Sequence, residues 1–524
     1  MGFARAAAVT PEEPYARTRR FFEEEIIEML GSMQTWGMRL SGLEALLSEQ
    51  MKELMRQLLQ EHLARMGPGR VEGGVTGSDG VDRREPRVHE RHVETVFGTV
   101  KLSRMGYGAE GEQSHHPRDA ELNLAEELFS HLVRRRVAEE ASRGSFDEAI
   151  EAIEKTTGAK LGKRQGEELA ARAAEDFDAF YQARQQQTPP VERTAPDVLV
   201  LTTDGKGVVM RRQDLREATR QAAENRRHKM GSRLSKGEKL HAKRMATVAA
   251  VYSIAPHVRT PEEILAPKGP LRQVVDARRP RPEGKRVWAS LEKTPEAVID
   301  EMFAEGRMRD PDGKATWAAL VDGAKPQLNL LKNRAKAHGV KLTIVLDFVH
   351  VTEYVWKAGL AFQAEGSPEL EIWVRDRLLE ILHGKGRRVA AALTRDATKA
   401  NMTETTRHAV DKCADYLTAY AKHQRYDDFL LQGLPIATGV IEGACRHLVK
   451  DRMDVTGARW SLRGAEAILR LRALRTSGDF EEYWVFHEQC EWERNHASRY
   501  AGGKPPKPID ESRPSSRHSL KLVK

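Results

Sequence analysis

Cysteine is scarce in this sequence: Cys413, Cys445 and Cys490 are the only three in 524 residues. So few thiols, so widely scattered, exclude a disulfide framework and a thiolate zinc site, and they suit a reducing compartment. Long apolar runs are missing too. No stretch approaches membrane-spanning length, and the amino terminus lacks the apolar core of a secretion signal. The expectation is a soluble, cytoplasmic protein with no membrane partner. What the chain does carry is charge: 31% of its residues are Asp, Glu, Lys or Arg, with a net +8 and a pI near 9.2. That balance points to an anionic partner, nucleic acid first and an acidic membrane second. A chain of this length is expected to form roughly three domains.

Apolar positions recur at helical spacing through residues 11–66, which predicts two long amphipathic helices suited to packing or dimerisation. Residues 67–80 are glycine-rich and read as a linker. A hairpin is expected over 86–107, turning at Gly98. His89, His92, His115 and His116 lie nearby without the regular spacing or cysteines of a metal site. From Leu122 to Tyr181 the pattern is helical, and its segment from Ser145 has the shape of a helix-turn-helix. Ser145 is placed to cap the first helix, Gly158 to make the turn, and Lys160, Lys163, Arg164 and Gln165 to lead the second. Basic and amide side chains there suit phosphate and base-edge contact, although any helical hairpin with a solvated basic face reads the same way. Gln185 to Pro190 marks a domain boundary.

Three strand-end aspartates follow. Residues 197–210 read as an apolar strand ending at Asp204, with Gly205 and Gly207 turning it into a second apolar run. Between residues 211 and 244 twelve Lys/Arg face four Asp/Glu, a local +8. Residues 245–254 form another strand, and the Pro- and Arg-rich stretch 261–282 a loop. Residues 316–350 then read as strand, helix, strand: Trp317–Val321 ends at Asp322, Leu342–Leu346 ends at Asp347, and Gly339 stops the helix between them. Such a crossover makes the strands parallel neighbours whose carboxyl ends open on one edge, where ligands gather in open α/β sheets.

Carboxylates converging on that edge suit two Mg²⁺ or Mn²⁺ ions, since hard oxygen ligands are on offer and soft ones are not. A further acid is needed, and Glu442, in the first turn of the helix in PIATGVIEGACRHLVKDRM, supplies it. Arg446 and Lys450 follow at i+4 and i+8 for phosphates. Trp460 reads either as core or as a base-stacking residue. Residues 356–434 are helical, helix 462–475 has an apolar seam with a basic edge, and residues 501–524 read as a basic tail for nonspecific DNA contact.

The series TTDGKG, ALVDGAKPQL, VLDFVHVTEYVWKA and TGVIEGACRHLVKDRMDVTGARWS resembles the DDE transposases of bacterial insertion sequences, ISKra group, which are related to Mutator-like transposases. The resemblance covers residues 86–485. It implies an α/β RNase H-like catalytic core with an all-helical insertion, behind a mainly helical N-terminal DNA-binding region. Its implied catalytic and metal-holding triad is Asp204, Asp322 and Glu442, with Asp347 and His350 as an accessory pair; Asp347 also stays open as the second metal ligand. The implied DNA contacts are Lys160, Lys163, Arg164, Gln165, Arg446, Lys450, Arg452, Arg459 and Trp460. The expected organisation is 1–66 N-terminal helices, 67–184 DNA-binding region, 191–355 first part of the core, 356–434 insertion, 435–490 final core helices and 491–524 basic tail. The implied function is metal-dependent cleavage of element ends and strand transfer into target DNA, by a homodimer or larger assembly at the bacterial nucleoid. A noncatalytic DNA-binding derivative and a metal-dependent nuclease without strand transfer are the rival readings.

Overall fold

The computed structural model describes residues 13–187, 198–225, 242–267, 273, 279–455 and 457–509. Its chain forms two compact units, Met1–Asp176 with Glu481–Lys524, and Phe177–Phe480. Among the described residues no helix is long and apolar enough to cross a membrane.

In the first unit the expected pair of long helices is realised as one. Leu40–Met66 is a continuous helix, whereas the segment before it is divided among Ala16–Arg20, the π turn Phe21–Ile27, Glu28–Leu30 and Met33–Trp36. Gly31 and Gly37 stand at the breaks, where a residue of low helix propensity interrupts the ladder. Glu61 ties the two segments by accepting from the backbone of Arg17 and the Thr18 hydroxyl. Met33, Trp36 and Leu40 remain exposed. Two short strands, β1 (Val75–Thr76) and β2 (Asp82–Arg83), precede the hairpin of β3 (Glu85–Thr95) and β4 (Gly98–Gly108), which pair in full register. The helix-turn-helix segment folds as Phe146–Thr156 and Lys163–Ala173, and the first helix carries a complete capping box from Ser145 and Glu148.

The carboxyl-terminal boundaries differ from expectation. Residues 481–490, assigned from sequence to the core, and 491–509, assigned to a tail, belong to this first unit. The reason is buried charge. On the Phe480–Asn495 helix, Glu491 pairs with the fully buried Arg134 at 2.6 Å, and His487 donates to Asp176 at 2.7 Å. Tyr500 is buried with Val75, Met105, Tyr107 and Ala120, and Ile509 donates its N–H to the Arg70 carbonyl at 2.7 Å. Residues 510–524 of the expected tail lie outside the described residues, as do residues 188–197, which include the end of the expected linker, 226–241 of the basic segment, and 268–272 and 274–278 of the expected loop. The Phe177–Gln187 helix runs into that linker and belongs to the second unit.

The second unit is built on a five-stranded sheet of order β7-β6-β5-β8-β9, from Glu283–Ser290, Lys243–Ile254, Val198–Val209, Thr316–Val321 and Leu342–Leu346 respectively. β5, β6 and β7 pair antiparallel, and β8 and β9 run parallel to β5. The central strands are apolar on both faces, and Val200, Leu201, Ala250, Val251, Ala319 and Leu320 are fully buried. β5 corrects one expectation: it does not turn after Asp204 but continues to Val209, because β6 pairs with it along its whole length. Gly207 fits there by having no side chain, since a Cβ would meet Lys243 Cδ at 2.9 Å. β7 and the Pro295–Arg309 helix, which the sequence pattern does not announce, complete the sheet's edge and cover. After β9 the helices Phe348–Gly359, Pro368–Leu382, Gly386–Lys399, Glu404–Ala419 and Tyr426–Leu431 form the expected helical segment.

Candidate active site

Register places the three aspartates. β5 pairs with β8 from Val198 opposite Thr316 to Thr202 opposite Leu320, and two further steps set Asp204 level with Asp322. β8 pairs with β9 from Trp317 opposite Leu342 to Val321 opposite Leu346, and the next step sets Asp322 level with Asp347. Continued past the last paired residues, the register sets the backbones of the three aspartates level across adjacent parallel strands, whose spacing is about 4.8 Å.

The segment 436–450 crosses this row. Ile436 accepts from the Phe348 N–H at 2.8 Å, which holds the segment beside the end of β9. Thr438 then gives Asp347 two hydrogen bonds, from its N–H at 3.1 Å and its hydroxyl at 2.7 Å. The Gly439–Ala444 helix starts there, and at the far end of its run the Cys445 thiol donates to Asp204 Oδ2 at 3.3 Å. Glu442 lies between these anchors, exposed, with its Oε1 at 3.5 Å from the shared Thr438 hydroxyl. One helix therefore links the outer two of the three aspartates. Cys445 and Thr438 are site residues that the sequence does not single out; the spacing of Cys445, one turn beyond Glu442, is the available signal.

The three aspartates differ in what already occupies them. Asp347 is fully buried and its oxygens take four donors: Val349 N–H and Thr438 N–H on Oδ1, His350 Nδ1 and the Thr438 hydroxyl on Oδ2. A carboxylate has about four acceptor positions, so this one is filled. Burial alone would raise its pKa, but the hydrogen bonds from His350, Thr438 and Val349 outweigh it and hold the carboxyl below the ordinary range. His350 is shifted the other way, upward, chiefly by its bond to Asp347. Asp322 is only half-buried and accepts one described hydrogen bond, from the Ala324 N–H to Oδ1 at 2.9 Å. Asp204 accepts from the Gly205 N–H and from Cys445, whose thiol is pushed far up by burial and the adjacent Asp204 charge.

Among the described residues, one group brings potential ligand atoms within 4.8 Å of one another: Asp347, His350 and Glu442. The structure therefore sets Glu442 nearest the accessory pair, and it sets Asp204 and Asp322 in the same row without joining them to that cluster. The donor set of Asp204, Asp322 and Glu442 is all hard oxygen and partly accessible, which fits Mg²⁺ or Mn²⁺. The loop bearing Asp322 is fixed from the helical segment: the Tyr416 hydroxyl donates to the Asp322 carbonyl at 2.7 Å, and the Tyr420 hydroxyl to that of Gly323.

The proposed DNA contacts separate into surface and interior. Arg446, Lys450 and Arg459 are exposed, with Arg446 3.7 Å from Asp451. The Cys445–Lys450 stretch is a π turn, so the simple i+4, i+8 alignment read from sequence does not hold. Arg452 is corrected to core and Trp460 takes the core alternative: both are buried, the guanidinium lies 4.7 Å over the indole, and the indole N–H donates to the Met453 carbonyl at 3.2 Å. On the basic edge of the Leu462–Ser477 helix, half-buried Arg470 bonds Asp178 and half-buried Arg472 the His447 and Leu448 carbonyls, while Arg475 is exposed. In the first unit Lys163 pairs with Asp147 at 2.6 Å, Arg164 bonds Glu168, and the Gln165 side chain caps the Gly162 N–H at 2.8 Å. The Lys160 N–H donates to Glu94 at 3.0 Å.

Neither models of protein families nor curated proteins give a match to this chain.

Proposed function

We propose that the protein is a DDE-type DNA transposase whose second unit is an RNase H-like core. The observation that carries this reading is the level placement of Asp204, Asp322 and Asp347 across adjacent strands, with Glu442 on a segment anchored to Asp347 by Thr438 and to Asp204 by Cys445. An antiparallel β7-β6-β5 meander extended by parallel β8 and β9 supports the fold assignment. Asp204, Asp322 and Glu442 are assigned to hold two Mg²⁺ or Mn²⁺ ions, which when bound activate a water or 3′-hydroxyl and stabilise the leaving oxygen. Asp322 is preferred to Asp347 because Asp347 has its acceptor positions filled. Asp347 instead orients His350 and fixes Thr438, and so positions the start of the Glu442 helix. Arg446, Lys450 and Arg459 on the same unit, and Lys160, Lys163 and Arg164 on the first, are the DNA contacts. Exposed Met33, Trp36 and Leu40 suit pairing of two copies, as joining two element ends requires.

The test is cleavage and joining of labelled DNA from the ends flanking the gene, with Mg²⁺, in wild type and in Asp204→Asn, Asp322→Asn and Glu442→Gln. Loss of both reactions in all three variants is expected. Undiminished activity in all three would defeat the assignment.

A further inference from the structure

The helix that carries Glu442 has a second working face. Gly439, Val440, Gly443 and Ala444 of this helix, with His447 of the π turn after it, line a cavity of about 520 Å³ within the second unit. Glu442 and Cys445, which face the aspartates, are not among its lining residues. Apolar side chains from β6 and β7, Tyr252, Ile254 and Val287, make much of the opposite wall. The charged lining is of one sign among the described residues: Arg259, Arg279 and Lys285, with His257 and His447, and no Asp or Glu.

Two carboxylates outside the lining act on this concentration of positive charge, Glu263 on Arg259 and Asp451 at 3.2 Å from His447. Among the described residues none of Arg259, Arg279 and Lys285 forms an ion pair with a carboxylate; the Arg259 guanidinium is spent on the His257 and Leu434 carbonyls. Burial first, and the Arg279 charge second, push the Arg259 pKa down to about 10, against a smaller opposing effect of Glu263. A bound anion relieves both effects. Gly439 and Gly443 add the means of approach, since nothing lies within 4 Å of where a Cβ on either would stand. Backbone there is open to a ligand that a side chain would hold off.

We infer that this cavity docks the phosphodiester backbone of a DNA strand, on the wall of the Glu442 helix opposite the carboxylate row. The inference rests on the transposase reading for the identity of the anion. It adds a second strand-binding surface on the same helix.

The probe is a 5′-fluorescein single-stranded dT20, with binding followed by anisotropy in EDTA across a salt series, using the full chain. Arg279→Glu/Lys285→Glu is compared with Lys332→Glu/Lys336→Glu, an equal charge reversal on the exposed face of the Lys325–Ala337 helix. The cavity pair is expected to lose at least about tenfold in affinity and to flatten the log–log salt slope by roughly 0.7 for each phosphate that is no longer neutralised. The remote pair is expected to change both far less. Equal losses in the two pairs, with Mg²⁺-dependent cleavage by wild type intact, overturn this inference and leave the transposase reading standing. Absence of both oligonucleotide binding and cleavage in wild type overturns both. Binding of a fluorescent ATP analogue that is lost in the cavity pair, with dT20 binding unchanged, assigns the cavity to a free nucleotide and overturns the inference alone.

Discussion

The Tyr416 hydroxyl donates to the main-chain carbonyl of Asp322 at 2.7 Å. A residue of the helical segment thus sets the backbone that presents a proposed metal ligand, and Tyr354, stacked on Tyr416 at 4.1 Å and 9°, fixes the ring. Gly323, with φ at +98° and a Cβ site only 3.0 Å from Tyr416 Cε2, allows this close approach. Tyr416→Phe removes one hydroxyl and leaves the packing in place. The expected outcome is a loss of about tenfold in cleavage rate, from misplacement of Asp322, with a stability change of only about 1 kcal/mol. Single-turnover kinetics beside thermal melting checks it, and an unchanged rate would remove the Tyr416 link from the mechanism.

Asp322 and Asp347 are expected to fail differently when substituted. Asp322→Ala removes a half-buried carboxylate with one described hydrogen bond, so activity falls by orders of magnitude while the melting temperature moves little. Asp347→Ala strands buried donors from Thr438 and Val349, and costs about 2–4 kcal/mol of stability as well as activity. Denaturant unfolding of the two variants separates the roles. A destabilised Asp322→Ala beside a stable Asp347→Ala would reverse the assignment.

Much of this site was legible in the sequence because strand-end aspartates and their intervening helix are local features. The expected bounds of β9 coincide with those observed, and those of β8 differ by one residue, because short continuous apolar runs closed by an aspartate are strong signals. What escaped was set by partners distant in the chain. β5 continues past Asp204 because β6, some 40 residues on, pairs with it throughout. The burial of Arg452 and the ion pair of Arg470 depend on Trp460 and Asp178, which no local pattern identifies. Cys445 is one of three scattered thiols in the sequence, and only the folded helix shows it on Asp204.

On the second helix of the helix-turn-helix segment, Lys163 and Arg164 sit on the surface and Gln165 is committed to a cap. Lys163→Ala/Arg164→Ala is expected to weaken binding of duplex end DNA and to lower its log–log salt slope by about 0.9 for each phosphate left without a cation. Gln165→Ala is expected to act on stability instead, by about 1 kcal/mol, through removal of the cap. Electrophoretic mobility shifts over a salt series distinguish the two, and an unaltered slope in the double variant would leave this helix without a phosphate role.

The carboxyl-terminal helix carries a structural charge. Arg134 and Glu491 have side-chain exposures of 0% and 4%, so Glu491→Ala leaves a buried guanidinium without its carboxylate. The expected cost is about 3–5 kcal/mol in the first unit. Hydrogen exchange should show the loss across His131–Arg143 and Phe480–Asn495 together. Protection unchanged in both helices would mean that residues 481–509 are dispensable to that unit, despite the buried Arg134–Glu491 pair.

Acid stability in the same unit is governed in part by two histidines kept neutral. Burial first, then the charges of Arg104 and Arg134 respectively, push His116 and His131 down to about 4 from an ordinary 6.5. Arg134 donates to His131 Nδ1, so protonation of that nitrogen loses this bond and sets the ring's charge against the guanidinium, which Glu491 offsets only in part. In the unfolded chain both rings bind protons near 6.5, whereas in the folded chain they do so only near 4. Between those values the unfolded state holds more protons, and stability must fall as the pH falls. The double variant His116→Gln/His131→Gln lacks this proton uptake and should lose less stability than wild type from pH 6.5 to 4. Above pH 7 the rings are neutral in both states, and the variant should be no more stable than wild type, because Gln packs less well than the rings it replaces. Melting temperatures measured across this range check the argument, and parallel curves for the two proteins would show that neither histidine is held neutral by the fold.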